Sequence, residues 1–213
     1  MADHPIFAAI YDRLLAATEK GGLSDMRADL LREANGRTLE LGAGTGHNLS
    51  HYPASVGELV LTEPDRFMAA RLRKHVAADP PAAAVVEVVE APAEELPFED
   101  GSFDAIVSTL VFCTVADPLR AAAETKRVLR RDGVLLYLEH VRSPDSERLA
   151  RWQDRLERPW RWFAGGCHPN RSTEQMLPHA GFELERLERD SLPESRVTPW
   201  VRPMIKGSAR PAG

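Results

Sequence analysis

The chain has 213 residues, a formal net charge of −5 and two cysteines. This length suits one domain with a sizeable core, and the acidic balance argues against nucleic acid as the main partner. Two cysteines form neither a disulfide framework nor a metal-ligand cluster, so we expect a reducing compartment and no bound metal. Without a signal-peptide pattern or a long apolar stretch, we expect a cytoplasmic protein with no stable membrane insertion.

Two helices are predicted before the first strand, over residues 5–18 and 24–34. Apolar residues recur at helical spacing in the first helix, and cap residues flank the second. We therefore predict a helical lid over residues 1–36 and a compact unit with it over residues 37–213. Tyr11, on the first helix, is either a packing residue or part of a lid over the glycine-rich turn that follows the first strand.

From residue 37 onward, short apolar strands alternate with helices, which is typical of a parallel sheet covered on both faces. After the fifth strand the pattern changes, and the last two strands can form a hairpin whose final strand inserts antiparallel. The predicted strands are 38–41, 58–62, 85–89, 103–109, 134–141, 182–189 and 200–206, and the helices after the first strand are 45–53, 66–77, 118–129, 146–163 and 172–180.

The turn after the first strand has the spacing Gly-x-Gly-x-Gly, from Gly42 to Gly46. Glycine tolerates positive φ and lets a ligand approach the backbone, and amides at the start of a following helix can face a polar ligand group. The spacing is one residue tighter than the dinucleotide fingerprint. Glu40, just before the turn, is costly to bury without a partner, which backbone amides or a cationic ligand group can supply. A buried carboxylate here disfavours a pyrophosphate and therefore NAD.

Two further carboxylates follow predicted strands. Glu63, followed by Pro64, ends the second strand and can accept hydrogen bonds from two ribose hydroxyls; alternatively it is a surface carboxylate stabilised by a helix dipole. Ala93 and Glu94 follow the third strand, where a carboxylate and backbone amides can contact an adenine ring. The alternative for Glu94 is a structural carboxylate in a turn.

These residues, in this order, resemble the class I S-adenosylmethionine-dependent methyltransferases. The resemblance covers the glycine turn with Glu40, Glu63 and the segment from Ala93 to Asp104. It implies an α/β, Rossmann-like seven-stranded sheet, mostly parallel with an antiparallel last strand and helices on both faces. It also implies S-adenosylmethionine as the cofactor and S-adenosylhomocysteine as the product. The residues expected to bind the cofactor are Tyr11, Glu40, Gly42, Ala43, Gly44, Gly46, Asn48, Glu63, Pro64, Ala93, Glu94, Thr109 and Leu110.

A narrower resemblance is carried by segments 108–113, 138–141, 166–168 and 200–203. They look like the methyltransferase-like group that includes mammalian thiol S-methyltransferases and UbiE-like enzymes. This similarity implies a small, fairly apolar acceptor, with a thiol or a phenol or quinol favoured. The alternatives are an NAD(P)-dependent oxidoreductase and a non-catalytic S-adenosylmethionine-binding scaffold. The sequence leaves open a monomer or a homodimer.

Methyl transfer from a sulfonium is an in-line displacement, so the protein mainly positions the acceptor and excludes water. An acceptor with a weakly acidic proton can also need a base. His140 and His168 are the candidates, because histidine titrates near neutrality; the alternative for each is a structural histidine. Core packing is predicted for the aromatic residues of the helix at 146–163, with an apolar substrate lid as the alternative. These aromatic residues are Trp152, Trp160, Trp162 and Phe163.

Overall fold

A computed structural model describes residues 12, 15–83, 85–192 and 198–213. Within these residues the strands are β1 (Gly36–Leu41), β2 (Val56–Thr62), β3 (Val85–Val89), β4 (Phe103–Thr109), β5 (Leu129–His140), β6 (Phe182–Ser191) and β7 (Pro203–Pro211). They form one sheet in the order β3-β2-β1-β4-β5-β7-β6. The inner strands β1, β2 and β4 are mostly buried, as expected for a sheet covered on both faces, whereas the edge strands β3 and β6 contain few buried residues.

Six strands run in one direction and β7 opposes them. The pairs from β3 through β5 are parallel, whereas β7 pairs antiparallel with both β5 and β6. The seven-stranded α/β sheet with an antiparallel last strand is therefore confirmed. The carboxyl ends of β1 to β5 lie at one edge, where open α/β sheets bind their ligands.

From residue 24 onward, the described part of the chain contains five α-helices that pack against this sheet or connect its strands. Three of them begin with a side chain that accepts a backbone amide of the first turn: Asp65, Asp117 and Ser146. Such caps satisfy amides that the helix itself leaves unpaired. The helices are α1 (Ser24–Leu31), α2 (Arg66–Ala78), α3 (Pro118–Val128), α4 (Glu147–Phe163) and α5 (Thr173–His179). Within the described part of the chain, no helix has the length and apolar character needed to cross a bilayer.

Alternate residues of β5 divide the core into two layers. Leu135 and Tyr137 pack on one face with apolar residues of α3 and α5. Leu136 and Leu138 pack on the other face with residues of α1 and α2. Because side chains alternate along a strand, a single strand contributes to both layers. Helices therefore cover both faces, as predicted.

The prediction of a helix over residues 45–53 is wrong. This segment forms turns and one short 3-10 helix, Leu49–His51. Gly46 has a φ of +98°, which an α-helix cannot accommodate, and Asn48 directs its side chain to Glu40. The glycine turn therefore leads into an irregular segment, and no α-helix begins directly after it.

The prediction of core packing is also wrong for three of the four aromatic residues of α4. Trp162 is 80% exposed, Phe163 is 68% exposed and Trp152 is 48% exposed. Trp160 instead packs edge-on against Trp200, with ring centroids 5.8 Å apart. Helical spacing describes one helix by itself, so it could not show that the rest of the protein leaves these positions of α4 uncovered.

The N-terminal segment is described from residue 15 onward, together with residue 12. Residues 15–18 are helical and continue into a π-helical segment, Glu19–Leu23, in which Gly22 has a φ of +116°. The segment then continues directly into α1. Tyr11 and most of the first predicted helix lie outside the described residues.

Candidate active site

The glycine turn follows β1, which has β2 on one side and β4 on the other. The strand order reverses at this place, so the turn lies at the topological switch point of the sheet. Gly42 and Gly44 have φ values of +53° and +60°. A Cβ atom on Gly42 would lie 3.1 Å from Val111 Cγ2, so a side chain at this position would be crowded as well as strained. The bare backbone of the turn can therefore be approached closely by a ligand.

Glu63 ties the turn to the end of β2. Its Oε2 accepts the Gly44 amide at 2.9 Å, and its Oε1 accepts the Asp65 amide at 2.9 Å. Glu63 is only 6% exposed, and this burial raises the pKa of its carboxyl group. A carboxylate has about four acceptor positions, so each oxygen retains capacity for a ribose hydroxyl. The arrangement fits a nucleoside cofactor.

Glu40 has protein partners of a kind that the sequence analysis did not expect. Tyr52 donates its hydroxyl to Oε2 at 2.6 Å, and Asn48 donates Nδ2 to Oε1 at 2.9 Å. Burial raises the pKa of Glu40 to about 7. Side chains, not backbone amides, are therefore the partners of this carboxylate within the protein, and its contact with a cationic ligand group stays a prediction.

Arg27 of α1 extends this network to β4. Its Nη1 donates to Asn48 Oδ1 at 3.0 Å and to Thr109 Oγ1 at 2.9 Å. The residue is 3% exposed, and its Nε also pairs with Glu19 at 3.2 Å. Sequence reasoning missed Arg27, although its helical spacing from Leu23 places it on the apolar stripe of α1, where a charged residue needs a partner.

The loop after β4 is held by a second buried carboxylate, Glu139. Leu110 lies at the start of this loop. Among the residues that the structure describes, it is the non-glycine residue with a positive φ, at +61°. Strain of this kind concentrates at functional sites. Sequence reasoning included Glu139 only within the segment 138–141, although a carboxylate inside an apolar strand was a signal for its role. It accepts the backbone amides of Val111 and Phe112 at 3.0 Å and of Cys113 at 3.2 Å, and the Ser108 hydroxyl at 2.9 Å.

The two predicted catalytic histidines have different surroundings. His140 is 5% exposed, and its Nε2 lies 2.7 Å from Cys167 Sγ. His168 Nδ1 lies 2.8 Å from Glu157 Oε1, and burial lowers the pKa of His168. The His168 backbone amide donates to Cys113 O at 2.7 Å. The loop that carries His168 therefore packs against the loop after β4.

The two cysteines, which are distant in sequence, lie beside a histidine in the folded chain. The donor atoms of Cys113, His140 and Cys167 all lie within 4.8 Å of one another. Each residue belongs to a different segment, so sequence spacing did not indicate this arrangement. Burial raises the pKa of the Cys113 thiol well above its usual value.

The remaining predicted positions lie along the same edge. Ala43 and Ala93 are buried, and Pro64 is partly exposed beside Glu63. Glu94 Oε1 accepts the amides of Ala116 at 2.8 Å and Asp117 at 3.3 Å, before α3. Glu94 therefore has a structural contact, and its role toward adenine stays a prediction. A glycine turn followed by a buried carboxylate at the next strand end is typical of α/β proteins that bind nucleoside cofactors.

Comparisons with known proteins identify the family. Residues 39–137 match the methyltransferase domain model. Thiol S-methyltransferase TMT1B of Homo sapiens is 36% identical over 172 residues, which cover 80% of this chain and 69% of that protein. The ubiquinone/menaquinone biosynthesis C-methyltransferase UbiE of Citrifermentans bemidjiense is 34% identical over 110 residues, covering 49% of this chain and 46% of that protein.

A solved structure agrees with this result at the level of the fold. A SAM-dependent methyltransferase from Thermotoga maritima matches with a TM-score of 0.68 and 24% identity, covering 96% of this chain and 97% of that one. The chain therefore belongs to the class I S-adenosylmethionine-dependent methyltransferases. S-adenosylmethionine is its cofactor, and the alternatives of an oxidoreductase and a non-catalytic scaffold are not supported.

Proposed function

We propose that this methyltransferase transfers the methyl group to the sulfur of a small, fairly apolar thiol. Similarity to a thiol S-methyltransferase over 80% of the chain carries this proposal. A phenol or quinol is the second candidate, favoured by the shorter similarity to a quinone methyltransferase. The two free, buried cysteines fit a reducing compartment, and we propose the cytoplasm.

The cofactor is proposed to lie along the carboxyl ends of β1 to β4. When bound, S-adenosylmethionine supplies a methyl group already activated on a sulfonium. In this proposal the glycine turn contacts the methionine portion, and Glu63 accepts the ribose hydroxyls. Ala93 and Glu94 adjoin the adenine, while Thr109 and Leu110 lie beside the sulfonium and begin the acceptor pocket.

His168 is the better candidate for a base on the acceptor side. Glu157 holds its Nδ1, so Nε2 is the nitrogen that can accept a proton, and the lowered pKa keeps the ring neutral near pH 7. His140 is less suited, because its Nε2 is already directed at the Cys167 sulfur. We therefore assign proton acceptance to His168.

The N-terminal segment, residues 1–36, is proposed to act as a lid over the glycine turn. Arg27 joins α1 to Asn48 beside the turn and to Thr109 at the end of β4. Asp12, nearer the start of this segment, hydrogen-bonds the Thr45 hydroxyl within the turn. These contacts connect the lid to both sides of the proposed cofactor site.

The acceptor assignment is tested by measuring S-adenosylhomocysteine formation with small thiols, phenols and quinols. We expect turnover with apolar thiols, and a decrease of at least about ten-fold in His168→Gln at pH 7. The decrease should diminish at higher pH, where the thiol ionises without a base. His179→Gln, at an exposed histidine of α5, is the matched control and should retain wild-type activity. Turnover of quinols alone would replace the thiol proposal.

The cofactor assignment is tested by calorimetric titration with S-adenosylmethionine. We expect Glu63→Gln to weaken binding at least about ten-fold, because it removes a charged acceptor for ribose hydroxyls. Glu87→Gln, at an exposed position on β3, is the control and should bind like the wild type. Equal affinities in all three proteins would contradict the ribose role of Glu63.

A further inference from the structure

Three segments that are distant in sequence bring soft donor atoms together beside the acceptor side. Cys113 follows β4, His140 ends β5, and Cys167 lies in the glycine-containing loop after α4. Their exposed fractions are 1%, 5% and 8%, and their donor atoms all lie within 4.8 Å of one another. Neither the core packing nor the proposed base role of His168 requires this convergence.

The donor set is the one that thiophilic d¹⁰ cations select. Two thiolates and one imidazole nitrogen are a three-ligand set found in catalytic zinc sites, at about 2.3 Å for sulfur and about 2.0–2.1 Å for nitrogen. Donors at those radii around one ion are at most about 4 Å apart. The three donor atoms lie within 4.8 Å of one another, with 2.7 Å between His140 Nε2 and Cys167 Sγ, which is close to the separations that one bound ion sets.

Neighbouring polar groups contact both sulfurs. Trp160 donates its indole Nε1 to Cys167 Sγ at 3.3 Å, and Thr114 Oγ1 lies 3.5 Å from Cys113 Sγ. Hydrogen bonds to ligand atoms orient them and tune a metal centre. His140 Nδ1 is buried and has no hydrogen-bond partner among the described residues. The other ring nitrogen, Nε2, faces the Cys167 sulfur.

We propose that Cys113, His140 and Cys167 bind one thiophilic d¹⁰ cation of the Zn²⁺ class through two sulfurs and His140 Nε2. The ion is a separate ligand from S-adenosylmethionine. With the site occupied, Nε2 of His140 is a ligand and takes no part in accepting a proton, which leaves that role to His168.

The test uses the reduced full-length protein after treatment with a chelator. Cd²⁺ is titrated while the thiolate-to-metal charge-transfer absorption is recorded, and Zn²⁺ is then added as a competitor. We expect one equivalent of Cd²⁺, displaced by Zn²⁺, and one equivalent of zinc retained after gel filtration. A thiol assay first shows that both cysteines are reduced. If Cd²⁺ then produces no charge-transfer absorption, the proposal is overturned.

Variants locate the ion. Cys167→Ser and His140→Gln should each weaken Cd²⁺ binding at least a hundred-fold, whereas His179→Gln should bind like the wild type. Circular dichroism and S-adenosylmethionine calorimetry on each variant show whether it is folded. Should a variant be unfolded, the thiol count of the wild type decides: one bound Cd²⁺ must protect both cysteines from alkylation. Unchanged Cd²⁺ affinity in folded variants, or two thiols that stay reactive with Cd²⁺ bound, would overturn the proposal.

Discussion

The two sides of the active-site edge are built differently, although each contains a buried carboxylate. On the side of the glycine turn, where we propose the cofactor, Glu40 is bound by the side chains of Tyr52 and Asn48. On the side of the loop after β4, where we propose the acceptor, Glu139 is bound mainly by backbone amides of that loop. The first carboxylate is therefore held by side chains of the segment that follows the glycine turn, whereas the second determines the path of the main chain after β4. Substitution should consequently affect stability and pH dependence differently on the two sides.

The largest effect is expected on the acceptor side. Glu139→Ala leaves the amides of Val111, Phe112 and Cys113 buried without an acceptor, which should lower the free energy of unfolding by about 3–5 kcal/mol. Urea unfolding measures this value. Glu183→Ala, at an exposed position on β6, is the control and should change it by less than about 0.5 kcal/mol. A loss below about 1 kcal/mol at Glu139 would show that the loop does not depend on this carboxylate.

The next effect is a pH dependence on the cofactor side. Burial raises the pKa of Glu40 to about 7 in the folded protein, above its ordinary value of 4.5. Between these two pH values the folded state therefore binds more protons than the unfolded state. The contribution of Glu40 to the free energy of unfolding is consequently lost as the pH rises through 7. Between about pH 5 and pH 8 the unfolding free energy of the wild type should fall by about 2–3 kcal/mol relative to Glu40→Gln. Urea unfolding of both proteins at each pH measures the difference, and parallel pH profiles would contradict it.

The smallest effect concerns backbone strain where the two sides meet. Leu110 has a φ of +61°, a conformation that glycine adopts freely and β-branched residues resist. Leu110→Gly should be more stable than Leu110→Val by at least about 1 kcal/mol, although it removes more apolar surface. Thermal unfolding of the pair measures this order. At Leu187, in the extended strand β6, the same two substitutions should show the reverse order.

Much of the fold could be predicted from local sequence patterns. The bounds of β3 and β4 agree with the prediction, and the antiparallel insertion of the last strand is confirmed. β5 instead begins at Leu129, earlier than the predicted residue 134, because strand pairing with β4 already starts there. Apolar periodicity and glycine placement are local properties, so they identify elements better than they identify where an element ends.

By itself, the sequence determined the alternation of strands and helices, the glycine turn and the carboxylate at Glu63, because each depends on residues adjacent in the chain. Only the tertiary structure decided which groups meet across segments. It paired Arg27 with Asn48 and Thr109, and it brought His140 close to both cysteines. The partner of a buried polar group is chosen by proximity in the folded chain, and sequence spacing carries no direct record of that distance.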